Sequence, residues 1–207
     1  MSTLAGYRTD KGPYYHGFTE LYESVLFPIK NDKLRILEIG VAEGGSLGLW
    51  ADYFPNADIY GIDIFDKSAM NSDRITTFVA DQANRAQLAS FIEQHGGEYD
   101  IILDDGGHSM EQQQVSLGFL FQFVKPGGYY IVEDIHTSFY TDFGAEPDGS
   151  NTTYTMLVNF IGNVEIVSQY MTETERQDLQ NNIEYTNLFF RNTEYQSIAC
   201  VLRKKME

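Results

Sequence analysis

The sequence predicts an α/β domain built on a doubly wound, mostly parallel sheet, closed at its C-terminal edge by an antiparallel hairpin strand. Three observations predict it. Short apolar runs alternate with longer segments of helical periodicity. These runs lead into acidic residues, at Glu38, Asp63, Asp81, Asp104 and Glu133, which is where ligands sit in such sheets. The last two runs are separated only by Arg191-Asn-Thr-Glu-Tyr195, too short for a crossover between parallel neighbours.

The elements follow in order. Residues 1–33 are expected to form an N-terminal arm and helix. Gly12 and Pro13 break regular structure there, and Phe18, Leu21, Tyr22 and Val25 share a face between Gly17 and Phe27. Lys11, Tyr15 and His16 are placed either in a flap over a ligand or in a merely packed arm. Leu34 to Ile39 is the first strand and Ser46 to Tyr53 the first helix. Asp58 to Asp63 and Ile75 to Ala80 are the next strands, with a helix from Asn84 to Gln94. Tyr99 to Leu103 is the fourth strand, followed by a helix from Met110 to Phe123. Lys125-Pro-Gly-Gly128 reads as a tight turn before a fifth strand from Tyr129 to Val132. Residues 137–153 are rich in Ser, Thr, Asp and Gly, and read as a candidate lid or an ordinary surface loop. Helices are expected from Tyr154 to Val167 and from Met171 to Asn181, then strands from Ile183 to Phe190 and Gln196 to Leu202. Internal repeats and a domain boundary are absent, so residues 1–207 read as a single domain.

Composition narrows the function classes. With 43% hydrophobic residues in 207, the chain can bury a full-sized core. Its net charge of −16 repels phosphate backbones and anionic headgroups, so nucleic-acid and membrane partners are not expected. Apolar runs fall short of the roughly 20 residues that span a bilayer, and the N-terminus lacks a secretory h-region. Cys200 is the single cysteine, which rules out an internal disulfide and reads as a buried, inert thiol. Together these place the protein in the cytoplasm.

The first strand runs into Glu38-Ile-Gly-Val-Ala-Glu-Gly-Gly45 and then a helix. Glycines let backbone N–H groups approach a ligand, and the helix start adds partial positive charge. Ala42 breaks the Gly-x-Gly-x-x-Gly pattern of dinucleotide sites. Asp63 lies about 20 residues on, where a carboxylate accepts the hydroxyls of a nucleoside ribose. Asp81 and Gln82 suit either an adenine edge or the cap of the next helix. The Glu38–Gly45 stretch resembles motif I of the class I S-adenosylmethionine-dependent methyltransferases, which implies a Rossmann-like methyltransferase sheet. Asp104, Asp105, Glu133 and Asp134 converge if strands four and five are neighbours, and all-oxygen donors suit a hard cation such as Mg²⁺. His108 lies three residues past Asp105 and is the candidate general base for an alcohol O-methylation, with support of a neighbouring site residue or helix packing as its alternatives and His136 as its rival. His95 reads as a surface residue.

Thr9-Asp-Lys-Gly12, Leu37 to Ser46, Asp81-Gln82, Asp104-Asp-Gly-Gly-His108 and Glu133-Asp-Ile-His-Thr-Ser138 together resemble the metal-dependent sugar O-methyltransferases of the mycinamicin and macrocin type. The resemblance covers roughly Thr9 to Ser138. It implies Mg²⁺ at Asp105, Glu133 and Asp134, His108 as general base, and S-adenosylmethionine contacts at Glu38, Gly40, Ser46, Asp63 and the Asp81-Gln82 pair, with Asp104 beside them. It also implies a sugar acceptor and a dimer or tetramer. The chain departs from the family in having Gly107 where serine is commoner, and it is expected to lack an extra N-terminal domain that some members carry. The rival readings are a catechol-type O-methyltransferase, a non-catalytic cofactor-binding module and, more distantly, an NAD-dependent reductase.

Overall fold

A computed structural model of the chain describes residues 9–12, 15–192 and 196–206. The sheet has seven strands in the order β3-β2-β1-β4-β5-β7-β6. These are β1 (Arg35–Ile39), β2 (Asp58–Asp63), β3 (Ile75–Val79), β4 (Tyr99–Asp104), β5 (Val124–Val132), β6 (Ile183–Asn192) and β7 (Gln196–Lys204). Pairings from β3 through β5 are parallel, while β7 runs antiparallel to both β5 and β6. The strand order reverses between β1 and β4. That makes a crevice at their carboxyl ends, where open α/β sheets take ligands.

Both faces of the sheet are covered, which is why the central strands read as continuous apolar runs. On β1, Leu37 packs into one core cluster and Ile36 into the other. The first cluster joins Tyr130 and Val132 of the sheet to Phe91, Leu117 and Phe121. The second joins Ile59, Ile101 and Ile131 to Tyr22, Trp50 and Phe54. Tyr22, Trp50, Phe91 and Leu117 come from α1 (Thr19–Leu26), α2 (Gly45–Tyr53), α3 (Arg85–His95) and α4 (Met110–Leu120), Phe54 and Phe121 directly follow α2 and α4, and α5 (Thr153–Ile161) and α6 (Glu173–Asn182) complete the α-helices.

Several expected boundaries move for identifiable reasons. The Lys125–Gly128 turn lies inside β5, as an irregularity where the partners jump from Tyr99↔Val124 to Ile101↔Tyr129. The helix expected to reach Val167 stops at Ile161, because Gly162 caps it and Asn163 turns left-handed at φ 63°. The helix expected from Met171 starts at Glu173, because Thr172 and Glu175 form a capping box. Helix α1 begins only after Gly17, which sits at φ 68°. His95 is half-buried among the rings of Phe91, Phe78 and Tyr60 rather than on the surface. Residues 137–153 begin as short 3₁₀ turns, Ile135–Phe139 and Thr141–Phe143. Cys200 is buried and unpaired, and among the described residues no helix is long and apolar enough to cross a membrane. Pro13 and Tyr14 of the expected flap, and residues 193–195 of the hairpin link, lie outside the described residues.

Candidate active site

The carboxyl ends of β1 and β4 meet at Gly40. Its φ is 86°, its N–H donates to the Ile62 carbonyl at 2.8 Å, and a Cβ there would lie 2.0 Å from the Asp105 carbonyl oxygen. Only glycine fits this combination of backbone angle and close approach. Asp63, at the end of β2, fastens the same turn. One oxygen accepts from the N–H groups of Val41 and Ala42, both at 3.0 Å, and the other from Phe65 N–H at 2.8 Å. An ionised carboxylate has about four acceptor positions, so capacity remains for a ligand hydroxyl.

Above these strand ends is a cavity of about 700 Å³, the size of a small-molecule or cofactor site. Gly40, Ser46, Asp63 and Gln82 line it, as do Thr9 and Asp10 of the N-terminal arm and the apolar pair Ile64 and Phe65. Three expected cofactor residues stand behind the wall. Glu38 is fully buried and accepts from Ser46 Oγ at 2.8 Å, and burial pushes its carboxyl up to about 7 against the pull of the Lys11 ammonium. Asp104 is 1% exposed and accepts from Gln82 Nε2 at 2.9 Å and from the Ser116 hydroxyl, and burial raises it to about 6. The Gln82 amide oxygen in turn accepts from Gly107 N–H at 2.8 Å. Asp81 forms a local turn by accepting from Ala83 N–H at 2.8 Å, and the cap of α3 is Asn84.

The four acids at the ends of β4 and β5 divide into three environments. Asp104 faces Gln82 and Ser116. Asp105, Asp134 and His108 form the group in which one donor atom from each lies within 4.8 Å of the others. His108 Nε2 is 3.6 Å from Asp134 Oδ2 and 3.9 Å from Asp105 Oδ1. His108 and Asp134 both hold left-handed backbone, at φ 59° and 51°. Such positions cost about 1–3 kcal/mol each for a non-glycine residue and concentrate at functional sites. The two loops are joined by the Thr137 hydroxyl, which donates to the His108 carbonyl at 2.8 Å. Burial pushes Asp134 up to about 6, while His108 opposes the shift.

Glu133 turns away from this group. It accepts from the Tyr22 hydroxyl and from Lys11 Nζ at 3.1 Å. Lys11 is 1% exposed, also bonds Asp105, and lies 3.7 Å from Glu38. Burial alone would lower its pKa, but three carboxylates outweigh that and keep it charged. In sequence Lys11 reads as part of a flap or of a packed arm, within the Thr9–Gly12 stretch. Its place as counter-ion to the acids depends on contacts 94 and 122 residues away in the chain.

His16 and His136 complete the outer side of the cluster. Their rings stack at 6.0 Å, with Nδ1 atoms 3.5 and 3.7 Å from Asp134 Oδ1. Burial and the neighbouring imidazoles push His136 down to about 4, so it is neutral at physiological pH. Asp134 Oδ1 is buried and makes no hydrogen bond. Two carboxylates, one of them with an unsatisfied oxygen, lie at close range beside an imidazole, and their oxygens fit a divalent cation.

No family model matches the sequence. Curated relatives do. Mycinamicin VI 2''-O-methyltransferase of Micromonospora griseorubida is 38% identical over 158 residues, covering 73% of this chain and 39% of that protein. Demethylmacrocin O-methyltransferase of Streptomyces fradiae is 37% identical over the same length, 73% and 40% of the two chains. 8-demethyl-8-alpha-L-rhamnosyl tetracenomycin-C 2'-O-methyltransferase of Streptomyces olivaceus is 36% identical over 154 residues, 70% and 40%. The chain thus spans about two fifths of the length of the curated relatives it matches. Among solved structures, MycE methyltransferase of the mycinamycin pathway, in complex with Mg and SAH, superposes with a TM-score of 0.82 at 30% identity, covering 99% of this chain and 55% of that one. Its complex with Mg, SAH and mycinamycin VI gives 0.80.

Proposed function

Because the chain is related to the sugar O-methyltransferases of natural-product pathways over about two fifths of their length, we propose that it transfers methyl from S-adenosylmethionine to a sugar hydroxyl. The acceptor is a glycoside, polysaccharide or glycosylated natural product, and Mg²⁺ is the metal. The observation that carries this is that Asp105, one of the two acids that would hold the cation, and His108 beside it both line the cavity wall. Methyl donor and activated hydroxyl would therefore meet at one point.

Asp63 offers its one remaining acceptor position to a ribose hydroxyl, and the Gly40 turn admits the amino-acid end of the cofactor close to the backbone. Ser46 and Gln82 face the cavity with their rotamers held by Glu38 and Asp104. Asp81 supports the turn that carries Gln82. Asp105 and Asp134 would hold the cation, with Glu133, the third carboxylate of the expected set, one residue away, and Lys11 lies between Glu133 and Asp105. A divalent cation there would supply Lewis acidity that makes an acceptor hydroxyl easier to deprotonate. His108 Nε2 takes the hydroxyl proton as the oxygen attacks the sulfonium methyl, which leaves a thioether behind. The acceptor oxygen and the methyl donor react in line, so alignment carries much of the rate. A cytoplasmic location and a dimer or tetramer belong to the same proposal.

The test is transfer of labelled methyl to panels of glycosides and catechols, with EDTA and after Mg²⁺ is restored. Glycoside turnover that EDTA abolishes and Mg²⁺ restores is expected. His108→Gln should lose about 10²–10⁴-fold in turnover while calorimetry shows S-adenosylhomocysteine binding retained. Undiminished turnover in EDTA, or in His108→Gln, would overturn the mechanism, and turnover on catechols alone would replace the acceptor.

A further inference from the structure

Beside the acid–histidine cluster lies an apolar surface that the steps above do not use. Phe139, Tyr140 and Phe190 are 52%, 47% and 56% exposed. Solvated aromatic rings grouped in this way mark an interaction surface more often than a bare exterior. Tyr154 lies between two of them, with ring centroids 5.1 Å from Phe139 and 6.2 Å from Phe190. Val158 and Ile161 extend the surface along α5 at four- and three-residue spacing, and both are exposed.

The strand register sets where this surface stands. Val132 of β5 and Leu188 of β6 both pair with Cys200 of β7, so β5 and β6 run in the same direction. Phe190 is two residues beyond Leu188, and Asp134 is two beyond Val132. Phe190 therefore stands at the level of Asp134, on the carboxyl end of the sheet. The surface is also tied directly to the cluster. The 3₁₀ turn that carries Phe139 contains His136, whose ring meets Tyr140 at 6.4 Å, and the same turn carries the Thr137 bond to the His108 carbonyl. The cofactor cavity opens over β1, β2 and β4, on one side of the cluster, and this aromatic surface lies on the β6 side.

We infer that Phe139, Tyr140, Tyr154 and Phe190 form a shelf for the apolar aglycone of a glycoside acceptor, presenting the sugar to Asp105, His108 and Asp134. The inference rests on the sugar O-methyltransferase reading and deepens it. Aromatic faces bury much area at low entropic cost, and they accept fused or macrocyclic apolar rings without demanding one hydrogen-bond pattern. The shelf makes the aglycone, and not the sugar alone, a determinant of affinity.

The probes are methyl and 1-naphthyl α-L-rhamnoside, which share a sugar and differ in aglycone. Wild type and the Phe139→Ser/Phe190→Ser double variant are compared in methyl transfer and in saturation-transfer NMR. Both substituted positions are exposed, so the fold and S-adenosylhomocysteine affinity should be retained. The expected result is a KM about tenfold lower for the naphthyl glycoside in wild type, the size of a lost aromatic anchor, collapsing to about twofold or less in the variant. Saturation transfer to the naphthyl protons should be lost with it. An equal KM for both glycosides, or an advantage that survives in the variant, overturns the shelf while leaving methyl transfer intact. Naphthyl binding that depends on the shelf without any methyl transfer counts against the function and keeps the shelf, and no binding sinks it. Wild-type dimers that the double variant dissolves would assign the surface to a second copy of the chain and overturn the inference.

Discussion

Replacing Lys11 by Met tests the electrostatic frame of the site. The side chains are nearly the same length, so packing is kept while the ammonium is removed. The structure puts that ammonium 3.0 Å from Glu133 and 3.7 Å from Glu38, with Asp105 also bonded, and both Glu side chains are at most 2% exposed. Removing one partner of a buried ion pair strands the other charges, at a cost of about 3–5 kcal/mol. Against a total stability of about 5–15 kcal/mol, such a loss is large. It should also depend on pH. Burial already holds Glu38 near 7 and raises Glu133, and without Lys11 both rise further. At pH 8 the variant must either hold uncompensated charges or bind protons that the unfolded chain releases, whereas at pH 5.5 the protons are more available and the penalty shrinks. Urea unfolding in EDTA at the two pH values measures this. S-adenosylhomocysteine affinity should fall as well, because neighbouring Thr9 and Asp10 line the cavity. A variant within about 1 kcal/mol of wild type at pH 8 would refute the counter-ion role.

Two further outcomes are expected. Gly40→Ala adds a Cβ that would lie 2.0 Å from the Asp105 carbonyl at a left-handed φ, so cofactor affinity by calorimetry should fall at least tenfold, and an unchanged affinity would mean the turn is not a binding element. His136 should show an NMR titration near 4, absent in His136→Gln. Its folded pKa lies below the unfolded value of about 6.5, so its contribution to stability is present above pH 6.5 and lost as pH falls toward 4. Titration of every imidazole above pH 6 would contradict this burial.

Much of the fold was legible because its signals are local. The apolar strands, the Gly40 turn and the acids at the strand ends follow from periodicity and turn chemistry within a few residues. The errors were also local. The end of α5 at Gly162 and the start of α6 at Thr172 were written in cap residues that the helical pattern outweighed. The site was legible as a set of residues but not as an arrangement. Asp104, Asp105, Glu133 and Asp134 look equivalent in sequence, and the structure gives them different neighbours.

The reason is physical. Alternation on a strand sends successive side chains to opposite faces, and the left-handed backbone at Asp134 turns that carboxylate toward His108 while Glu133 stays with Tyr22 and Lys11. Which acid is neutralised by a buried lysine and which is left with an unsatisfied oxygen depends on packing across more than 90 residues of chain. The sequence by itself determined an α/β sheet, a glycine turn at its switch point and the inventory of acids and histidines. Only the tertiary structure decided that Lys11 reaches into that inventory, that His108, Asp105 and Asp134 gather within it, and that an aromatic surface stands beside them.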